Sequence, residues 1–162
     1  MIAALFAVDA KGGMGFRGSM PWPLNKEDMQ WFKSTTQGQT VAMGKKTWDS
    51  ADMPSPLPGR RNVLFTNNFL DRNDIVQING DVCEGLIYLQ REDPTKNIYV
   101  IGGANLLLQS KPVLEKVFIT RIDGEYQCDT FIDIEKFLTG FVKAHTHNLG
   151  TCIVEEYNSE AI

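Results

Sequence analysis

The stretch NIYVIGG, residues 97–103, constrains the fold of this chain more than any other. Ile98, Tyr99, Val100 and Ile101 follow one another with no polar residue between them, so a strand made of them must be buried on both faces. It ends at Gly102-Gly103 and runs straight into ANLLLQS, which reads as a short helix. The same arrangement recurs along the chain. IAALFAVD (2–9), TVAMG (40–44) and NVLFT (62–66) are buried strands, DIVQI is a weaker one, and KKTWDS and GDVCEGLIYLQRE are helices between them. EKVFITRID and GTCIVEEY complete the set, the latter partnered around FVKAHTH. Continuous apolar strands separated by helices predict an α/β sheet covered on both faces, with an antiparallel end where two strands adjoin without a helix. With 162 residues and no linker, repeat or low-complexity tract, one domain over residues 1–162 is expected.

Composition narrows the function classes. Hydrophobic residues make up 43% and charged residues 22%, an ordinary globular balance. A net charge of −4 with no basic run argues against nucleic acid as a partner. The N-terminal apolar run has no charged segment before it and no cleavage site after it, and no run reaches membrane-spanning length. A soluble, cytoplasmic protein is expected. Cys83, Cys128 and Cys152 are odd in number and widely spaced, which suggests neither a disulfide framework nor a metal site. His145 and His147 share one strand face and read as a surface pair.

Chemistry enters at MPWPLNKEDMQWFK, residues 20–33. Pro21 and Pro23 bar a helix before Leu24, and Asn25 is a good N-cap. At about 100° per residue, Leu24, Met29, Trp31 and Phe32 fall on one broad face, while Lys26, Glu27, Gln30 and Lys33 fall opposite. Asp28 points into the centre of the apolar sector, where an ionised carboxylate is costly unless something pairs with it. Completion of an Asn25-x-x-Asp28 cap is the plainer reading.

Four further stretches suit anions or motion. The turns IGGAN and MGKKT each end a strand, expose backbone N–H groups and open a helix, a geometry suited to phosphates. Cations at a helix start oppose the helix dipole, and a phosphate beside Lys45 and Lys46 would compensate them. GGMGFRG leads into Met20-Pro21 rather than a helix, so it reads as a mobile loop and a lid candidate. PLPGRRN places Arg60 and Arg61 beyond a rigid turn, where one could fork onto a carboxylate. Neither a P-loop nor a Rossmann glycine fingerprint is present.

Taken together, these stretches resemble dihydrofolate reductase. FAVD (6–9), MPW (20–22), DMQWFK (28–33), MGKKTWDS (43–50), PLPGRRN (56–62), VIGGANL (100–106), ITRID (119–123) and DTF (129–131) occur in that family's order over nearly the whole length. The resemblance implies an α/β single domain with a central eight-stranded, mostly parallel twisted sheet, an antiparallel C-terminal edge and four flanking helices. It implies reduction of 7,8-dihydrofolate to 5,6,7,8-tetrahydrofolate by a monomer, with hydride transfer from NADPH to the pterin C6 and protonation at N5. Asp28, Thr120 and Trp22 would be the catalytic group, with Asp28 bonding the pterin's ring N–H and exocyclic amine. Ala4, Leu5, Met29, Phe32, Leu57 and Ile101 would wall the substrate, and Arg60 would take the α-carboxylate of its glutamate tail. Ala7 and the lid residues Met14, Gly15, Phe16, Arg17, Gly18, Ser19 and Met20 would face the nicotinamide. Lys45, Lys46, Thr47, Thr66 and Asn67 match phosphate and ribose contacts. Gly102, Gly103, Ala104, Asn105, Leu106 and Leu107 match the pyrophosphate turn, with Gly102-Gly103 joined by the family's cis peptide.

The chain departs from that pattern in places. Asn105 and Leu107 replace a basic or small residue and a frequent tyrosine, the lid carries extra glycine before Met14, and FIDI follows Asp129-Thr130. A pyrimidine reductase of the riboflavin pathway shares the fold and cofactor but lacks the helix acid and PLPGR. A binding protein on the same fold is the rival from another class, and intact Asp28, Arg60 and Gly102-Gly103 argue against it.

Overall fold

The computed structural model describes residues 1–161. In chain order its elements are β1 (Ile2–Val8), β2 (Gly13–Gly15), α1 (Lys26–Thr36), β3 (Thr40–Gly44), α2 (Lys45–Trp48), β4 (Arg61–Phe65), β5 (Val76–Ile78) and α3 (Val82–Glu92). Then follow β6 (Ile98–Gly102), α4 (Ala104–Ser110), a 3-10 turn (Lys111–Val113), β7 (Lys116–Ile122), β8 (Thr130–Phe131), α5 (Ile134–Phe137), β9 (Phe141–Asn148) and β10 (Cys152–Ser159). Eight strands form one sheet in the order β5-β4-β3-β6-β1-β7-β10-β9. The first six are parallel, and β10 runs antiparallel to both β7 and β9.

Alternation along β1 shows why its strands are apolar throughout. Ala3 and Leu5 enter a core layer with Val41, Met43, Trp48 and Leu57, against which Trp31 and Phe32 of α1 pack. Ile2, Ala4, Phe6 and Val8 enter the opposite layer with Leu86 and Leu89 of α3 and Leu106 and Leu107 of α4. Each fully buried Leu or Val contributes about 1.5–3 kcal/mol relative to exposure, which favours apolar residues on both faces. No helix among the described residues is long and apolar enough to cross a membrane.

Three features differ from expectation. There are five helices rather than four, because DIEKF closes one turn as α5, capped by the Asp133 carboxylate, which accepts from the Lys136 N–H at 3.2 Å. The loop after β1 is not free along its length: β2 pairs antiparallel with β8 in a separate two-stranded sheet. Its base is held by Asp9, 1% exposed, whose carboxylate accepts from the N–H groups of Lys11, Gly13 and Tyr126. Burial acts to raise the Asp9 pKa, but those hydrogen bonds outweigh it and hold the carboxyl below its ordinary value. Only glycine fits at Gly13, where a Cβ would lie 2.3 Å from Cys128 Sγ. Lastly, Leu24 precedes α1 and is 67% exposed instead of joining the apolar face. Pro23 keeps it out of the helix, and periodicity counted from Leu24 begins two residues too early.

Candidate active site

Helix α1 begins where the prolines allow it. Asn25 Oδ1 accepts from the Asp28 N–H at 2.9 Å and caps the helix. The Asp28 carboxylate does not reach back to that cap. It turns inward, 9% exposed, and Oδ1 accepts a 2.8 Å hydrogen bond from Thr120 Oγ1 on β7. Its second oxygen has no protein donor among the described residues. Burial pushes the Asp28 pKa up, and the Thr120 bond only partly offsets it, so the acid sits above its ordinary value. Glu27, one residue earlier, is exposed.

Asp28 and Thr120 open into a cleft of about 990 Å³. Leu5, Met29, Phe32, Leu57, Ile101, Trp22 and Arg60 line it beside them. Ala7, Met14, Gly15, Phe16, Gly18, Ser19, Met20, Lys46, Thr47, Gly102 and Gly103 line the rest. Most of the expected site residues are thereby brought together.

Others are not, for physical reasons. Ala4 points into the layer opposite the cleft, because neighbours on a strand face opposite ways. Leu106 and Leu107 are core residues under α4, with Leu107 fully buried, so neither side chain lines the cleft. Arg17, Thr66, Asn67, Ala104 and Asn105 also lie off it. Lys45 is absent from the lining as well, and its Nζ is 2.7 Å from Asp49 Oδ2. Trp31 packs behind the helix, its ring 5.1 Å from His147 and 6.2 Å from Phe118. His147 is half-buried and lies 3.1 Å from Glu156, while His145 is exposed.

The two arginines of PLPGRRN separate cleanly. Arg60 faces the cleft, its Nε donating to Pro58 O at 2.9 Å and one terminal nitrogen to Thr36 Oγ1 at 3.1 Å. It has no acidic partner among the described residues, and burial holds its pKa down. Arg61 instead pairs with Glu92.

At the other end, β3 and β6 finish side by side, with Met43 registered against Gly102. The Gly102-Gly103 peptide is cis, and Gly102 has φ 134, open to glycine alone. A Cβ there would lie 3.1 Å from Thr47 Oγ1. Bare backbone beside a hydroxyl and the Lys46 ammonium suits a phosphate-bearing group. The lid crosses this region: the Arg17 N–H donates to Asp129 Oδ2 at 2.9 Å, and the Met20 N–H donates to the Asp52 carboxylate. Asp49, Ser50, Asp52, Met53, Asp129 and Thr130 line the cleft without having been singled out. The segment from Ala51 to Met53 is turn-rich and aperiodic, so nothing local marks it; Asp49-Ser50 and Asp129-Thr130 lay in quoted motifs with no role attached.

Residues 1–150 match the family model described as dihydrofolate reductase. The chain belongs to the dihydrofolate reductase family. It is 29% identical over 143 residues to the type 8 dihydrofolate reductase of Escherichia coli, covering 85% of this chain and 83% of that protein. It is 31% identical over 124 residues to the dihydrofolate reductase of Mycobacterium leprae, covering 76% and 73%. A solved structure of Enterococcus faecalis dihydrofolate reductase, complexed with NADP(H) and RAB-propyl, superposes with a TM-score of 0.81 at 27% identity, covering 98% of this chain and 96% of that one. The activity is that of a dihydrofolate reductase, an NADPH-dependent oxidoreductase acting on dihydrofolate, and the eight-stranded sheet with its antiparallel edge is the family's fold.

Proposed function

We propose that the cleft carries out its reduction with Asp28 as the acid that holds and polarises the pterin, Arg60 as the anchor of the glutamate tail, and the β3–β6 strand ends as the cofactor cradle. The observation that carries this reading is the buried Asp28, one oxygen held by Thr120 and the other without a protein donor, in the wall of a cleft large enough for two ligands. A pterin edge with adjacent N–H groups satisfies that second oxygen and compensates its burial. Leu5, Met29, Phe32 and Ile101 then supply apolar walls, and Leu57 and Phe32 lead toward Arg60. An unpaired guanidinium in partly desolvated surroundings suits a planar carboxylate bound at two points.

When bound, NADPH supplies the hydride. The residues present fit it: Gly102 leaves backbone open where a Cβ would crowd Thr47, and Lys46 offers a cation without an acidic partner among the described residues. Among the described cleft-lining residues Asp28 is the only buried acid, since Asp49 and Asp129 are exposed and Asp52 is half-buried. No second acid is therefore available for N5, and water admitted under the Met14–Met20 lid delivers that proton. Asp28 acts through its charge, favouring the protonated, electrophilic form of the substrate.

The test follows NADPH consumption with dihydrofolate from pH 5 to 9, in the parent and in Asp28→Asn, at saturating NADPH. The amide keeps the size and loses the charge. Turnover at pH 7 is expected to fall about 100-fold or more, the scale of a positioned acid–base group, and to recover partly toward pH 5. Equal turnover of the two proteins at pH 7 would reduce Asp28 to a structural group.

A further inference from the structure

The lid is tied on two sides, and only one of them is the β2–β8 ladder. On that side Asp129 accepts from the Arg17 N–H, and its own N–H donates to Gly15 O at 2.9 Å. On the other, the lid reaches the connection between α2 and β4: the Ala51 N–H donates to Gly18 O at 3.2 Å, and the Met20 N–H donates to the Asp52 carboxylate. Between these ties the lid tip is a tight turn, with Phe16 and Ser19 exchanging backbone hydrogen bonds of 2.9 and 3.1 Å. The tip is therefore closed on itself by its own backbone hydrogen bonds.

Asp52 is placed for this contact. It lines the cleft, is half-buried, and has no Lys or Arg partner among the described residues, whereas its neighbour Asp49 holds Lys45. Its own N–H is steadied by Ser50 Oγ at 3.3 Å. A carboxylate facing a site for an anionic substrate is unfavourable electrostatically unless it serves another group, and the group it meets is a backbone donor of the lid.

We propose that Asp52 is a positioning residue that straps the Gly18–Met20 end of the lid across the mouth of the cleft, so that ligand entry and product release require the Met20–Asp52 hydrogen bond to open. Met20 and Asp52 both line the cleft, so a ligand occupying it lies beneath the strap. With the bond gone, that flank of the lid keeps, among the described residues, the longer Ala51–Gly18 backbone hydrogen bond. The inference rests on the reductase reading for its ligand, and on the geometry alone for the strap.

Two variants separate the bond from the charge. Asp52→Ala removes the acceptor; Asp52→Asn removes the charge but keeps an oxygen able to accept from Met20. Tetrahydrofolate release is timed by stopped flow against a chase of excess dihydrofolate in the presence of NADPH, and exchange of the Met20 amide proton is followed by NMR without ligand. In Asp52→Ala both are expected to be about tenfold faster, the scale of a charge-assisted hydrogen bond partly open to solvent. In Asp52→Asn both are expected within about threefold of the parent, with the weaker neutral bond retained. If Asp52→Ala fails to fold, Asp52→Ser, too short to reach Met20, takes its place. Unchanged Met20 exchange in the variant lacking the acceptor overturns the strap. So does Asp52→Asn releasing product as fast as Asp52→Ala, which marks repulsion by the carboxylate instead. A parent that consumes no NADPH with dihydrofolate refutes the reductase reading, and the exchange comparison still decides the strap.

Discussion

Thr120 Oγ1 donates to Asp28 Oδ1 at 2.8 Å across 92 residues of sequence, joining strand β7 to helix α1 at the one buried acid among the described cleft residues. The hydroxyl stabilises the charged form of a carboxyl that burial drives toward the neutral form.

Thr120→Val keeps the shape and removes that donor. The Asp28 pKa then rises further, and kcat/KM for dihydrofolate falls by about tenfold, the scale of a hydrogen bond to a charged group. The loss is larger below neutral pH, where more of the acid is protonated. A pH profile of kcat/KM whose acidic limb stays in place would refute the assignment of Thr120.

Without ligand, Asp28 weakens the fold at neutral pH. Because its folded pKa lies above the ordinary 3.8, the folded state holds the proton more tightly than the unfolded state. Stability is therefore highest below the unfolded value and is lost as pH rises through the folded value. Asp28→Asn does not titrate, so at pH 7 it is expected to melt higher than the parent. The two melting temperatures approach one another toward pH 4. A lower melting temperature for Asp28→Asn at pH 7 in ligand-free protein contradicts this.

Arg60→Ala raises KM for dihydrofolate by tenfold or more, since a charge-assisted pair is worth about 1.5–3 kcal/mol, and leaves KM for NADPH within about twofold. Lysine does not restore the lost affinity, because it has no planar fork. Arg61→Ala changes stability by at most about 1 kcal/mol, as its partner Glu92 is on the surface. Steady-state kinetics on the three proteins check this, and greater kinetic damage from Arg61→Ala reverses the assignment.

Lys46 is expected to carry more of the preference for NADPH over NADH than Lys45. Lys46 lines the cleft, while Lys45 lies off it beside Asp49. Lys46→Ala therefore lowers the ratio of kcat/KM values for the two cofactors by about tenfold, and Lys45→Ala by no more than about threefold. The reverse order places the 2′-phosphate at Lys45.

Local sequence determined the strands, the helix start and the acid. Strands β1, β3, β4 and β6 read as buried because they are apolar on consecutive residues, and two covered faces demand that. Helix α1 starts where Pro23 and Asn25 require, and the period of the helix alone sets Asp28 apart from Glu27. Gly102-Gly103 marked the strand end at which φ 134 admits no side chain.

Tertiary structure decided what has no local period. The β2–β8 pair joins segments more than a hundred residues apart, and a Gly-rich stretch with little strand propensity takes its form from that partner. The resemblance pointed to Arg60, but the pairing that occupies Arg61, with Glu92 of α3, is one that no motif announces. Leu107, read as facing the cofactor, is in the core because α4 turns that side onto the sheet. Asp52 lies in an aperiodic turn, and only the folding of the lid against it gives its carboxylate a donor. Buried strands and helix caps are fixed by interactions within a few residues; a cleft is a relation between segments distant in sequence, and chain packing alone brings them together.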